Sequence, residues 1–398
     1  MVKKTKKIAT VILAVLLFPI KINSVIAEPV NSSAIITHAQ LDVKSKTMDA
    51  ASHDIDKDGD IDIILAIEFG QNIVLLNDGN GKFDDIIRFA HSHDSEDIGV
   101  ADFNNDGELD IVFVSEDDKK NELYFNSGDG SFVDASNNLP VDGISNSVVV
   151  YDVNNDGSMD IIIGNDGENK ILLNDGEGIF IDVTQERMDS NSNDVTQDLH
   201  LADVDNDGDL DLLEANEGQN KIYINNGKGY FKDETSNRLP KTIDESREVI
   251  VGDIDNDGDK DLYYANVQFS MKVNPADRLL INDSNGFFTD VNSSQLPQDM
   301  ESNFTAKFID LDNDGDLDVL TGSSIIFEQG AGTLYAYINN GDGKFYLDSL
   351  NNIEESSKSG NVFDINEADY NGDNINDVYI ARRASQRGDG GRDVLILR

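Results

Sequence analysis

Apolar residues in this chain come in short runs, not at helical spacing. Runs such as Ile98-Gly99-Val100, Val148-Val149-Val150 and Val249-Ile250-Val251 each lead into an acidic stretch. A second run follows, as in Ile161-Ile162-Ile163 or Leu212-Leu213. After a polar turn comes a third, as in Ile171-Leu172-Leu173, Ile222-Tyr223-Ile224 and Leu279-Leu280-Ile281. Continuous apolar runs this short predict strands buried on both faces. The pattern Asn-x-Gly-x-Gly-x-Phe then spans 77–83, 126–132, 174–180, 225–231 and 339–345. Its glycines supply the positive φ that a tight hairpin needs, and its phenylalanine is expected to open a fourth strand. No segment carries a convincing amphipathic helical pattern.

The acidic stretch is itself a repeat, Asp-x-Asp/Asn-x-Asp-Gly-x-x-Asp. It begins at Asp54, Asp102, Asp152, Asp203, Asp253, Asp310 and Asp369, with spacings of 48, 50, 51, 50, 57 and 59. A period near 50 residues marks a solenoid, propeller or array. Four antiparallel strands per repeat, seven repeats and buried faces predict an all-β, seven-bladed β-propeller. The seventh repeat stops at Val394-Leu395-Ile396-Leu397, its third strand. Residues 34–43 are strand-like, precede the first repeat and are expected to supply the missing strand, closing the ring.

These motifs resemble the FG-GAP/VCBS repeats, whose best-known relatives are the integrin α-subunit propellers. The resemblance extends over nearly all of residues 34–398. It implies a calcium ion in the loop between the first and second strands of each blade.

The residues imply the same. Calcium takes 6–8 oxygen ligands. In a tight loop, positions 1, 3 and 5 point inward, position 7 adds a backbone carbonyl and position 9 returns a carboxylate. Glycine at position 6 permits the sharp turn. Four repeats offer four carboxylates each: Asp54, Asp56, Asp58 and Asp62; Asp203, Asp205, Asp207 and Asp211; Asp253, Asp255, Asp257 and Asp261; Asp310, Asp312, Asp314 and Asp318. Three repeats replace one carboxylate with an amide: Asp102, Asn104, Asp106 and Asp110; Asp152, Asn154, Asp156 and Asp160; Asp369, Asn371, Asp373 and Asp377. Those three are expected to bind more weakly. The seventh also has Asn374 where glycine is usual. An EF-hand needs a glutamate at position 12, and only the fourth repeat has one, Glu214, which reads as coincidence. The expected cofactor is therefore up to seven structural Ca²⁺.

Charge sharpens this picture. The formal net charge is −46, and residues 1–27 carry five lysines and no acid, so their removal leaves −51. A polyanion of that size repels nucleic acid and anionic membranes. Seven Ca²⁺ would bring it to −37. There is no cysteine, which excludes disulfides, thiolate metal sites and cysteine catalysis. Lys3, Lys4, Lys6 and Lys7, the apolar run Ile8–Ile20 and Val25-Ile26-Ala27 predict a signal peptide over 1–27. The propeller would then be 28–398, placed outside the cell, in a periplasm or on a cell surface. The apolar run is too short to span a bilayer.

Ligand chemistry is expected on the face opposite the calcium loops, where three turns are long: 266–277, 321–332 and 381–392. Arg382, Arg383, Arg387, Arg392 and Arg398 cluster there as candidates for an anionic ligand. Arg387-Gly388-Asp389 matches an adhesive tripeptide, but three residues carry little specificity. Five positions before each loop stand Asp49, Asp97, Ser147, Asp198, Glu248, Thr305 and Asp364, predicted to ring the channel mouth. No nucleophile elbow, phosphate loop or two-histidine zinc motif occurs. The expected function is a non-enzymatic binding or adhesion module for a glycan or protein. The alternatives are a polysaccharide lyase working through His200 and Tyr151, and a structural surface protein.

Overall fold

The computed structural model describes residues 46–189, 193–269, 271–297, 302–324, 332–348, 361–383 and 392–398. The chain divides into two units, Met1–Ser33 and Ala34–Arg398, and every described residue lies in the second. The expected signal peptide and the closing strand at 34–43 fall outside the described residues.

The first repeat forms β1 (Thr47–His53), β2 (Asp62–Gly70), β3 (Ile73–Leu76) and β4 (Asp85–Arg88). The second forms β5 (His93–Ala101), β6 (Asp110–Ser115), β7 (Glu122–Asn126) and β8 (Phe132–Asp134). The third gives β9 (Ser145–Tyr151), β10 (Asp160–Asn165), β11 (Lys170–Asn174) and β12 (Phe180–Asp182). The fourth gives β13 (Val195–Ala202), β14 (Asp211–Gly218), β15 (Lys221–Asn225) and β16 (Phe231–Asp233). In the fifth come β17 (Asp244–Gly252), β18 (Asp261–Asn266), β19 (Arg278–Asn282) and β20 (Phe288–Asp290). In the sixth come β21 (Asn303–Ile309), β22 (Asp318–Ser323), β23 (Leu334–Asn339) and β24 (Phe345–Asp348). The seventh has β25 (Asn361–Ala368), β26 (Asp377–Arg383) and β27 (Val394–Ile396) among the described residues.

Within each repeat the strands pair antiparallel in sequence order, the all-β arrangement of a β-propeller. The phenylalanine opens the fourth strand in repeats two to six. In the first that strand begins at Asp85, after Phe83. Among the described residues, four single-turn helical segments follow the fourth strands, at Ser136–Asn138, Thr184–Arg187, Thr235–Arg238 and Asn292–Gln295. Each is held by an aspartate two residues earlier, as when Thr184 N donates to Asp182 Oδ1 at 3.0 Å. Segments of three or four residues are too short to leave a helical period. No described helix is long and apolar enough to cross a membrane.

The core lies between sheets. Along β2, Ile63, Leu65 and Ile67 pack with Tyr370, Tyr379 and Leu395 of the seventh repeat. Ile64 and Ala66 face the other way, against Ile98, Ile111 and Phe113 of the second. Both faces of each second strand are thus buried, which is why its apolar run does not alternate. Burial of each such Ile or Leu contributes roughly 1.5–3 kcal/mol.

Polar side chains fasten the same boundaries. The first hairpin residue donates to a loop carbonyl of the preceding sheet: Asn126 Nδ2 to Ile55 O (3.0 Å), Asn174 Nδ2 to Phe103 O (2.8 Å) and Asn339 Nδ2 to Ile254 O (2.7 Å). Asn77 makes the corresponding bond to Tyr370 O at 2.9 Å, joining the first repeat to the seventh. In the seventh repeat Arg398 stands where that asparagine would. Its N donates to Asp377 Oδ1 (2.8 Å) and its Nη2 to Leu311 O (3.3 Å).

Asn339 is buried, so Asn339→Ala strands the Ile254 and Leu317 carbonyls it serves. Urea unfolding is expected to show a loss of about 1–3 kcal/mol.

Candidate functional site

Two places carry chemistry, one at each end of the first strands. At the C-terminal end lie the nine-residue loops. The position-1 aspartate accepts backbone N–H groups across its loop, as Asp253 does from Asp257 N (3.0 Å) and Gly258 N (3.0 Å). Positions 4 and 6 both take the left-handed conformation, for example Asn155 (φ 60°) and Gly157 (φ 92°). Position 4 is asparagine in five repeats, a residue that tolerates this conformation, so the sequence itself carries the signal. In the seventh repeat Asn374 indeed adopts φ 67°.

The position-9 aspartate does more than offer a ligand. Asp62 accepts Ile55 N through Oδ2 and Asn77 N through Oδ1, both at 2.9 Å. The same pair of bonds recurs at Asp110, Asp160, Asp211, Asp261, Asp318 and Asp377. Burial pushes the carboxyls of Asp62, Asp110 and Asp160 up to about 6, and those of Asp211, Asp261 and Asp318 up to about 7.

In repeats one, four, five and six, three carboxylates come within 4.8 Å of one another: Asp54, Asp56 and Asp58; Asp203, Asp205 and Asp211; Asp253, Asp255 and Asp261; Asp310, Asp312 and Asp318. These are the repeats with four carboxylates. In the second and third repeats an amide intervenes. Asn104 Nδ2 donates to Asp106 Oδ2 at 3.0 Å and Asn154 Nδ2 to Asp156 Oδ2 at 2.8 Å. The loops fit a hard cation on a further ground: Asp54 Oδ1, Asn154 Oδ1 and Asp205 Oδ1 are buried with no hydrogen-bond donor. Asp205 also meets Arg238 at 3.1 Å, a protein cation beside the fourth loop. Glu214 is not part of that loop; it accepts Asn169 Nδ2 at 2.6 Å and Asn216 Nδ2 at 3.1 Å.

At the other end, five of the seven positions predicted to form a ring bind the next sheet. Asp364 accepts Ala50 N (3.2 Å), Asp97 accepts Val148 N (2.7 Å) and Ser147 Oγ accepts Leu199 N (3.1 Å). Asp198 accepts Val249 N (2.9 Å) and Glu248 accepts Ala306 N (2.8 Å). Each acceptor takes the N–H of the next sheet's first strand. Before every ring residue the register of the first and second strands slips by one residue. Such a bulge re-aims a side chain.

The seven extra residues are Met48, Glu96, Asn146, Gln197, Arg247, Phe304 and Phe363, and all seven line one pocket of about 110 Å³. Asp49, Asp97, Asp198, Glu248 and Asp364 complete its wall. Burial raises these carboxyls, Asp198 to about 7, Glu248 to about 8 and Asp364 to about 6. Asp49 and Asp97, both raised by burial, hydrogen-bond to each other. Phe304 and Phe363 pack with centroids 4.2 Å apart, and Arg247 lies 5.9 Å from the Phe304 ring.

The other candidates separate. His200 is half-buried beside Lys307, and burial lowers its imidazole to about 4, so it is neutral and a poor base at pH 7. Tyr151 faces Leu210, Asp209 and Asp152 near the loops. The arginines serve the fold: Arg382 is buried beside Asp393, Arg383 pairs with Glu68, and Arg398 holds the sixth loop. Arg392 is exposed, and Arg387-Gly388-Asp389 lies outside the described residues.

Known proteins share this architecture. An Agrocybe aegerita lectin, described as recognising non-reducing terminal N-acetylglucosamine, is 19% identical, with a TM-score of 0.51 over 77% of this chain and 81% of its own. The extracellular domain assigned to a hybrid two component system of B. thetaiotaomicron is 12% identical, with a TM-score of 0.53 over 91% of this chain and 40% of its own. BBS1N, solved in complex with ARL6DN, is 9% identical, with a TM-score of 0.51 over 89% of this chain and 92% of its own. At these identities the likeness shows the fold alone. No curated protein matches the sequence. The profile of the FG-GAP-like repeat matches residues 54–113, 102–163, 152–214 and 203–264. Together these four matches run from 54 to 264, more than half of the 398 residues, and the chain belongs to the FG-GAP-like repeat family.

Proposed function

We propose that the chain is an exported, calcium-loaded, seven-bladed propeller acting as a non-enzymatic binding module, with a glycan as the ligand of the axial pocket. The observation that carries the reading is the pocket wall: one bulge residue from each of seven sheets, on the face away from the loops. The Phe304–Phe363 pair offers an apolar platform for the C–H face of a sugar. The carboxyls, Asn146 and Gln197 offer hydroxyl partners, the mixture that small-ligand sites use. The shared fold of the Agrocybe aegerita lectin makes sugar recognition compatible with this architecture. His200, neutral at pH 7, offers a lyase a poor base.

In this reading the ring closes through β1. Thr47 Oγ1 reaches Asp393 (2.7 Å), and Asn366 Nδ2 reaches Ala50 O (2.7 Å). Calcium would be held by positions 1, 3, 5 and 9 of each loop and would neutralise acids that burial otherwise protonates. Extracellular calcium modules have dissociation constants of about 10⁻⁴–10⁻³ M, so the sites fill outside a cell. The basic n-region and apolar run of residues 1–27 support export.

Three outcomes are expected. Calcium titration should resolve a tighter class from repeats one, four, five and six and a weaker class from the rest; a single class of seven would contradict the loop chemistry. The second concerns pH. With the position-9 carboxyls raised from the ordinary 3.8 to about 6–7, the metal-free folded chain binds more protons than the unfolded one across that window. Thermal melts in chelator should therefore show stability falling as pH rises from about 5 to 8, while the calcium-induced upward shift in Tm grows. The third tests the ligand. On a glycan array, a sugar bound by the wild type should bind Phe304→Ala at least about tenfold more weakly without loss of the calcium-dependent melt. Binding of no glycan, or equal binding by the variant, would refute the pocket assignment.

A further inference from the structure

Two sheet boundaries carry an extra pairing between a second strand and the next first strand. In one, Glu217 stands opposite Glu245. In the other, at the same register, Glu68 stands opposite Asp94. Facing acids at such a position repel each other and need a cation. The first pair has one: Arg247, the bulge residue of β17, donates from Nη2 to Glu217 (2.8 Å) and to Glu245 (3.1 Å). The second pair has another acid in that place, Glu96, the bulge residue of β5.

More acids gather around it. Asp94, Glu116 and Asp117 each bring a carboxylate oxygen within 4.8 Å of the others. Asp94 is 2% exposed. Its Oδ2 accepts Asp117 N at 3.2 Å, and its Oδ1 is buried with no hydrogen-bond donor. The protein cations here reach Glu68, the other half of the facing pair, and among the described residues no ion pair reaches Asp94, Glu116 or Asp117. Lys46 (2.9 Å) and Arg383 pair with Glu68, and His93 pairs with Asp118 at 2.5 Å.

We propose that Asp94, Glu116 and Asp117 bind a calcium ion outside the repeat motif, doing at the junction of the first and second sheets what the Arg247 guanidinium does at the junction of the fourth and fifth. Carboxylate oxygens and exposure to solvent through Asp117 suit a hard divalent ion. The site shares no residue with the nine-residue loops and lies at the opposite end of β5.

The test is the number of calcium ions bound per full-length chain, measured by equilibrium dialysis against saturating calcium with elemental analysis. The variants are D94N/E116Q and E96R, with D255N as the control for a motif loop. Both D94N/E116Q and E96R are expected to bind one ion fewer than the wild type. E96R should also melt higher in chelator, because its guanidinium rebuilds the bridge that Arg247 makes. E96R keeps all three proposed ligands, so it tests the site even where D94N/E116Q fails to fold. An unchanged count in E96R together with a reduced count in D255N overturns the proposal and leaves the motif loops intact. A wild-type chain that binds no calcium overturns both.

Discussion

Each sheet hangs on one buried aspartate. The position-9 carboxylate accepts one N–H from the start of the loop and one from the start of the hairpin, so a single side chain fixes the first, second and third strands together. An apolar residue there would leave two buried N–H groups unpaired, at a cost of about 1–3 kcal/mol each. The arrangement has its own cost, visible in carboxyls raised by burial to about 6 or 7. A cation in the loop offsets that cost by favouring the charged form. A metal bound there would couple to the fold through the same atoms, and would give a chain without cysteine the staple that disulfides supply elsewhere.

Sheets are joined by the same economy of polar contacts at two levels. Near the loops, hairpin asparagines reach back to the preceding sheet. At the far end, ring side chains accept the next sheet's first-strand N–H. First strands in a propeller run side by side without pairing, so these N–H groups have no ladder partner and the side chains must satisfy them. The bulge follows from this demand. It shifts the ring residue into line with its acceptor position and turns the residue before it into the axial pocket. The pocket is thus a by-product of how neighbouring sheets are hydrogen-bonded, with seven positions free to vary in chemistry.

That freedom explains what the sequence made legible. The repeat, the strand order and the loop residues could be read because their partners are close in sequence and their residue types are fixed by geometry. The ring positions could be read by counting back from each loop. The bulges could not, because one added residue leaves the apolar runs intact and Met48, Glu96, Asn146, Gln197, Arg247, Phe304 and Phe363 share no residue type. The fifth hairpin escaped the glycine pattern because Ser284 takes the left-handed conformation (φ 68°) that glycine takes elsewhere. Arg398 gave no signal of its role, since an arginine replacing an asparagine latch is evident only from its shared bond to the position-9 aspartate. The arginine cluster misled for a related reason: nearness in sequence suggested one ligand site, but the strands deliver those side chains to different boundaries.

Internal repetition also gives each boundary a set of built-in controls. Where Glu217 and Glu245 meet, a guanidinium lies between them; where Glu68 and Asp94 meet, the same register position holds a carboxylate. Identical backbone pairing with opposite side-chain charge means the electrostatic demand is met by different agents. In a chain of net charge −46 with 31 basic residues, protein cations are too few to serve every acidic junction. Some pair with buried acids, Asp244, Glu245 and Glu68, and others with exposed ones such as Asp84 and Asp142. A divalent ion would meet such a demand at lower entropic cost than a long side chain, since an ion brings no rotamers to immobilise.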